Sequence, residues 1–194
     1  MSPRAPAGEL LRDLAAVLGN RRWYLFGAQA VLIWGRPRLS ADVDVTAEIP
    51  QREVPGFVDK MRSAGFELRV TDPEEFIRRT RVLPFRHVPT SLPLDLVLAG
   101  PGLEEEFLER AVATRIGELE IPVLSPEDLL TTKILAGRPK DLEDVHGILM
   151  QRLPNLDLGR IRDTLSRLEA ALGQSDLLPA FEAELERARG MRSS

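Results

Sequence analysis

Two acidic residues separated by one position, Asp42 and Asp44, lie in residues 41–45, where apolar and acidic side chains alternate. Alternation of this kind predicts a β-strand, and residues two apart on a strand point to the same face of a sheet. A third acid, Asp95, lies alone in the apolar residues 92–98, which also predict a strand. If these strands pair, three carboxylates converge, and such a cluster favours a hard divalent cation such as Mg²⁺.

A turn of small residues precedes the acidic pair. Residues 23–26 are apolar and aromatic, which predicts a buried strand ending at Gly27, and residues 28–34 predict a buried helix. Backbone N–H groups at a helix start attract phosphate, and small residues such as Gly27 and Ala28 let a triphosphate approach the backbone closely. A phosphate cradle beside a carboxylate–magnesium site is the arrangement that nucleotidyl transfer requires.

The amino-acid composition excludes several other kinds of functional site. The 194 residues contain no cysteine and two histidines. This excludes disulfides, thiolate metal sites and a cysteine nucleophile, and it argues against a zinc site. Lys and Arg number 26 against 30 Asp and Glu, and the resulting net charge of −4 excludes a protein that coats nucleic acid through bulk charge. Apolar residues make up 43%, which is enough for a folded core.

The elements that must position these residues follow from hydrophobic periodicity. Helices are predicted over 9–18, 28–34, 54–64, 73–79 and 103–113, strands over 23–26, 41–45, 66–70, 81–88 and 92–98, and a hairpin over 115–124. Prolines 84, 89 and 93 predict that the strands around them lie at an edge or pair irregularly. From Ser125, a predicted N-cap, the pattern is helical, over 125–136, 141–151, 158–172 and 177–189. We therefore predict an α/β (α+β) fold with two parts: a small mixed sheet flanked by helices in residues 1–124, and a helical C-terminal part in residues 125–194.

Several of these segments together resemble the nucleotidyltransferase superfamily pattern. Gly27-Ala28 matches its Gly-Gly or Gly-Ser turn, residues 42–44 match its D-x-D strand, and residues 94–96 match its later strand with one Asp. Residues 38–44, R-L-S-A-D-V-D, are especially similar to the R-x-S-x-D-h-D of AbiEii-like minimal nucleotidyltransferases, known as toxins of toxin–antitoxin systems. In that group a helix lysine and a basic-Asp-x-x-Asp helix start complete the nucleotide site, and Lys133 and Asp141 match these positions.

The resemblance, which covers about residues 20–150, implies the nucleotidyltransferase fold. It also implies Mg²⁺-dependent transfer of a nucleoside monophosphate from an NTP to an acceptor hydroxyl, with release of pyrophosphate. The implied catalytic and metal-binding residues are Asp42, Asp44 and Asp95. The implied nucleotide-binding residues are Gly27, Ala28, Ser40, Lys133 and Asp141. The implied partners are an NTP, an acceptor that is RNA, tRNA or a small molecule, and an antitoxin protein.

Ala28 departs from the pattern, because Ala keeps the backbone N–H of this position but offers no hydroxyl. Two alternatives therefore stay open. One is a small-molecule transferase similar in outline to the aminoglycoside and lincosamide nucleotidyltransferases, and the other is a nucleotide-binding module of the same fold with weakened activity. The sequence has no signal-peptide pattern and no apolar stretch near the roughly 20 residues that span a bilayer, so we expect a cytoplasmic protein without membrane contact.

Overall fold

The computed structural model describes residues 6–36 and 42–192. They divide into two units, one of residues 6–29 and 42–124 and one of residues 30–36 and 125–192. The first unit contains the sheet, and the second is helical. Within the described ranges, no helix has the length and apolar character needed to cross a membrane.

Seven strands form one mixed sheet in the described part of the first unit. They are β1 (Trp23–Phe26), β2 (Val43–Ala47), β3 (Phe66–Leu68), β4 (Val82–His87), β5 (Pro93–Leu98), β6 (Val112–Ile116) and β7 (Leu119–Val123). Their order across the sheet is β3-β4-β5-β2-β1-β7-β6. The pairs β2/β5 and β1/β7 are parallel, and the other neighbours are antiparallel. The two strands that carry the acids, β2 and β5, therefore lie side by side in the middle of the sheet.

The helices of the first unit are α1 (Pro6–Leu18), α3 (Val54–Ser63), α4 (Pro73–Thr80) and α5 (Leu103–Arg110). Helix α2 (Gly27–Trp34) begins in the first unit and continues in the second. The second unit adds α6 (Pro126–Ala136), α7 (Pro139–Arg152), α8 (Leu158–Leu172) and α9 (Leu177–Arg192). Short 3₁₀ helices occupy Gln51–Glu53 and Leu153–Asn155. This arrangement confirms the predicted α/β (α+β) class, a mixed sheet flanked by helices with a helical C-terminal part.

The alternation in the sequence sets which face of the central strands is buried. On β5, Leu94, Leu96 and Leu98 are buried and the residues between them are half-buried. On β2, Val43 and Val45 are buried beside a half-buried Asp44. Burial of the aliphatic side chains stabilises the sheet by about 1.5–3 kcal/mol for each side chain. The acids are thereby left on the opposite face.

Two expectations about local structure are wrong. β4, which contains Pro84, is an interior strand paired on both sides, whereas β3 and β6 are the edges. Pro84 is tolerated because it lies just beyond Phe85, the last residue of β4 in register with β3; its carbonyl oxygen still accepts a hydrogen bond of 2.8 Å from the Arg69 backbone N–H, and only the reciprocal bond at the end of the ladder is missing. The helix predicted over 103–113 ends at Arg110, and residues 112–116 form β6 instead, because they pair with β7 in a hairpin closed at Gly117.

Candidate active site

Gly27 joins β1 to α2 in a conformation that favours glycine. Its φ is +63°, in the left-handed region that L side chains rarely adopt. β1 pairs with β2 so that Phe26 lies opposite Asp44, and this places the Asp44 side chain against the Gly27 backbone. A Cβ atom at position 27 would lie 2.1 Å from Asp44 Oδ2. Glycine is therefore required here both for its backbone angle and for the approach of the carboxylate.

Asp44 and Asp95 are neighbours across the sheet. The parallel register of β2 and β5 sets Asp44 opposite Asp95. Residues in register on neighbouring strands, whose backbones are about 4.8 Å apart, project to the same face of a sheet. Both positions are half-buried. Two of the three predicted catalytic carboxylates are thus carried on one face by adjacent strands.

The remaining predicted residues of the first unit lie close by in sequence. Asp42 is exposed and precedes β2 by one residue, and its carbonyl oxygen accepts a hydrogen bond of 3.3 Å from Gln29 Nε2. Ala28 is buried in the first turn of α2. Ser40 lies outside the described residues.

Arg69, which sequence reasoning did not include, contacts the predicted site. Its Nη2 donates a hydrogen bond to Asp95 Oδ1. Its Nε donates to the Phe85 carbonyl oxygen at 2.9 Å, and its backbone N–H donates to the Pro84 carbonyl oxygen at 2.8 Å. A lone acid in an apolar strand signals that some partner exists. The sequence contains no signal for which of its many arginines that partner is.

The donor chemistry of the acids fits magnesium. Asp42, Asp44 and Asp95 offer only carboxylate oxygens, which hard divalent ions prefer. Across the described ranges, however, no group of three or more Asp, Glu or His side chains is arranged to hold a metal ion. Asp95 is paired with Arg69 instead. Which residues bind metal therefore stays a prediction.

The two predicted residues of the helical unit, Lys133 and Asp141, contact each other. Lys133 Nζ on α6 lies 2.8 Å from Asp141 Oδ1 and 2.8 Å from Asp144 Oδ2, both on α7. The three side chains are buried, with exposures of 8%, 0% and 3%. Arg138 adds a contact of 2.5 Å from Nε to Asp141 Oδ2, so two cations balance two anions.

The charges of this cluster are mutually stabilising. Burial raises the pKa of Asp141, but hydrogen bonds from Arg138 and Lys133, together with their positive charges, outweigh burial and hold that pKa below its usual value. The structure therefore places the predicted lysine inside an ion cluster of its own unit.

Comparison with solved structures finds the same fold in nucleotidyltransferases. The antibiotic-resistance factor ANT(2'')-Ia is 12% identical, with a TM-score of 0.59 over 85% of this chain and 92% of that one. The lincosamide antibiotic adenylyltransferase LnuA, lincomycin-bound, is 15% identical, with a TM-score of 0.51 over 75% and 96%. An antigenic nucleotidyltransferase-like protein from Paracoccidioides brasiliensis is 18% identical, with a TM-score of 0.52 over 90% and 89%. At these identities the likeness shows the fold alone.

No curated protein matches the sequence. The model of one protein family, described as nucleotidyl transferase AbiEii toxin of type IV toxin–antitoxin systems, matches residues 9–190. The match takes in both units, including the Gly27 turn, the paired strands β2 and β5 and the Lys133 cluster. The chain therefore belongs to the AbiEii nucleotidyltransferase toxin family.

Proposed function

We propose that this protein transfers a nucleoside monophosphate from an NTP to an acceptor hydroxyl and releases pyrophosphate. The observation that carries the proposal is the register of Asp44 and Asp95 on adjacent parallel strands, with the Asp44 carboxylate packed against the Gly27 turn. We assign catalysis to the sheet-containing residues 1–124, and we assign nucleotide contacts of its own to the helical part, residues 125–194.

Phosphate binding is assigned to the start of α2. There the first N–H groups of the helix have no intrahelical acceptor and attract anions. Gly27 and Ala28 supply such groups without a bulky side chain, and Ser40 is assigned a supporting contact on the resemblance alone. Lys133 and Asp141 are the nucleotide-site residues of the helical unit. In that unit Lys133 keeps its bonds to two aspartates, so its charge is fixed in place.

The three carboxylates would hold Mg²⁺, which when bound neutralises phosphate charge and activates the attacking hydroxyl. Asp95 accepts the proton of that hydroxyl. The acceptor oxygen then forms a bond to the α-phosphorus, and the bond between the α-phosphorus and the bridging oxygen breaks. Pyrophosphate leaves with the electron pair of the broken bond. Asp42 and Asp44 would contribute by holding the cation that offsets the triphosphate charge, since carboxylates alone repel phosphate.

The acceptor is proposed to be RNA, such as tRNA, on the resemblance alone, and the partner is proposed to be an antitoxin protein, because the family description names a toxin–antitoxin system. The test incubates the protein and Mg²⁺ with each labelled NTP and either total RNA or an aminoglycoside or lincosamide. Label on RNA that is lost with Asp44→Asn supports the proposal. Label on the antibiotic supports the small-molecule alternative instead.

A nucleotide-binding module without turnover is the second candidate. Two observations favour it: Ala28 lacks the hydroxyl of the family pattern, and Asp95 is paired with Arg69. NTP binding in equilibrium dialysis, with no label transferred to any acceptor, would establish this candidate. Turnover with any acceptor would dismiss it.

A further inference from the structure

Arg69 reaches Asp95 from a fixed position. It follows β3 directly, and its backbone N–H and Nε are both bonded to β4, at Pro84 O and Phe85 O. Pro84 is in turn the register neighbour of Asp95 on β5. The guanidinium therefore crosses β4 to place Nη2 on Asp95 Oδ1.

The contact is one that solvent and ions can exchange. The Arg69 and Asp95 side chains are 38% and 43% exposed. Exposed ion pairs of this kind contribute only about 0–1 kcal/mol, because water screens the charges and the side chains lose entropy. Since a guanidinium and a divalent ion repel each other, a metal ion on Asp95 competes with Arg69 for the same carboxylate.

A released Arg69 side chain has space to occupy. Arg69 also lines a groove of about 660 Å³, formed with the loop before α4 and with one face of that helix. Thr71, Phe76 and Arg79 are among the other lining residues, and all belong to the same unit. The guanidinium can thus leave Asp95 without entering the protein core.

We propose that Arg69 is an exchangeable counter-ion of Asp95, which neutralises this carboxylate in the metal-free protein and is displaced when a divalent ion binds. The proposal rests on the proposed function, because it takes Asp95 as a metal ligand. Arg69 is by this account a positioning residue rather than a catalytic one.

The test measures magnesium binding without NTP or acceptor, from the shift in melting temperature over a Mg²⁺ titration and from Mn²⁺ binding by electron paramagnetic resonance. Arg69→Gln removes the competing charge. In the parent protein, repulsion at a solvent-exposed site of this kind weakens ion binding by roughly 3- to 30-fold. The Mg²⁺ concentration at the midpoint of the titration should therefore be lower in Arg69→Gln by that factor. Arg69→Lys retains a positive charge and should keep a midpoint near that of the parent protein.

Arg86→Gln is the matched control. Arg86 forms an exposed ion pair with Glu67 across β3 and β4, with 3.0 Å between Nη2 and Oε2, so its loss changes net charge equally without touching Asp95. Its midpoint should equal that of the parent. If the midpoint Mg²⁺ concentration of Arg69→Gln equals or exceeds that of the parent protein, the proposed displacement of Arg69 by the ion is overturned. Urea unfolding of each variant verifies that it is folded.

Asp44→Asn separates this proposal from the function on which it rests. If Asp44→Asn abolishes the magnesium response while Arg69→Gln leaves it at the parent's midpoint, the metal site stands and the exchange is overturned. If Asp44→Asn keeps the response while Arg69→Gln tightens it, the exchange stands and the role of Asp44 is overturned. If neither the parent nor Arg69→Gln responds, both proposals are overturned.

Discussion

Replacing Gly27 with alanine tests the packing on which the candidate site depends. The new Cβ would lie 2.1 Å from Asp44 Oδ2, 2.8 Å from its Cγ and 3.0 Å from its Cβ. All three distances are too short for the present arrangement to persist. The Asp44 carboxylate must therefore move. The φ of +63° adds backbone strain for alanine even after the carboxylate has moved away.

The expected loss of stability is the sum of these effects. The left-handed backbone costs alanine about 1–2 kcal/mol, the overpacking against Asp44 costs about 1–3 kcal/mol, and reduced entropy of the unfolded chain offsets about 0.4–1 kcal/mol. We expect Gly27→Ala to lower the free energy of unfolding by about 1–5 kcal/mol. Because the displaced carboxylate is a proposed metal ligand, the variant should also lose its magnesium-dependent rise in melting temperature.

Urea unfolding measures the stability change, and Gly19→Ala is the matched control. Gly19 has a φ of +58°, but a Cβ there would meet no heavy atom within 4 Å. It therefore reports the backbone strain alone, about 1 kcal/mol after the offset. Equal losses of stability in the two variants would refute the close approach of Asp44 to Gly27. A retained magnesium response in Gly27→Ala would refute the role of that carboxylate in metal binding.

Two further variants test the nucleotide-site residues. Ala28→Ser should raise turnover roughly 10- to 150-fold if a hydroxyl bonds phosphate only in the transition state, whereas unchanged turnover would show that the backbone N–H suffices. Asp141→Asn should lower the free energy of unfolding by about 1–3 kcal/mol at neutral pH, because Lys133 and Arg138 lose a charged acceptor. Since the folded-state pKa of Asp141 is depressed, its stabilisation is fully present above the unfolded value of about 3.9 and is lost as pH falls through the folded value. Between pH 7 and pH 3, the free energy of unfolding measured in urea should therefore decrease less for Asp141→Asn than for the parent protein. Equal decreases would contradict the depressed pKa of Asp141.

Local patterns predicted most elements of the fold, because periodicity reflects one buried face. The predicted bounds of β1 and α8 agree with the structure, as does the capping role of Ser125. The strand predicted over 41–45 is instead Val43–Ala47, which leaves Asp42 just outside it. The alternation continues beyond Val45 with Ala47 and Ile49, so it did not by itself mark where the strand ends.

Non-local pairing could not be predicted in this way. Nothing in residues 41–47 specifies β5 rather than another strand as the neighbour of β2, and the register that sets Asp44 opposite Asp95 depends on that choice. The convergence of the acids was expected from the resemblance and from the cost of leaving an acid unpaired. Residues 112–116 likewise could not be assigned from their own sequence, because it is pairing with β7 that makes them a strand.

The ion pair of Asp95 in the first unit and the ion cluster of Lys133 in the second differ in how easily they can be broken. The Arg69 and Asp95 side chains are 38% and 43% exposed, so water screens their pair and breaking it costs about 0–1 kcal/mol. Lys133 lies between two buried aspartates, and extracting it would deprive both of their shared cation, a loss that costs about 3–5 kcal/mol at a buried pair and exceeds that of Asp141→Asn, which leaves Lys133 paired with Asp144. A bound metal ion supplies enough energy to displace the first contact at modest affinity, whereas extracting Lys133 would destabilise the α6–α7 packing. We therefore expect Arg69 to exchange its partner during the reaction cycle, and Lys133 to act on a nucleotide only from its place between Asp141 and Asp144.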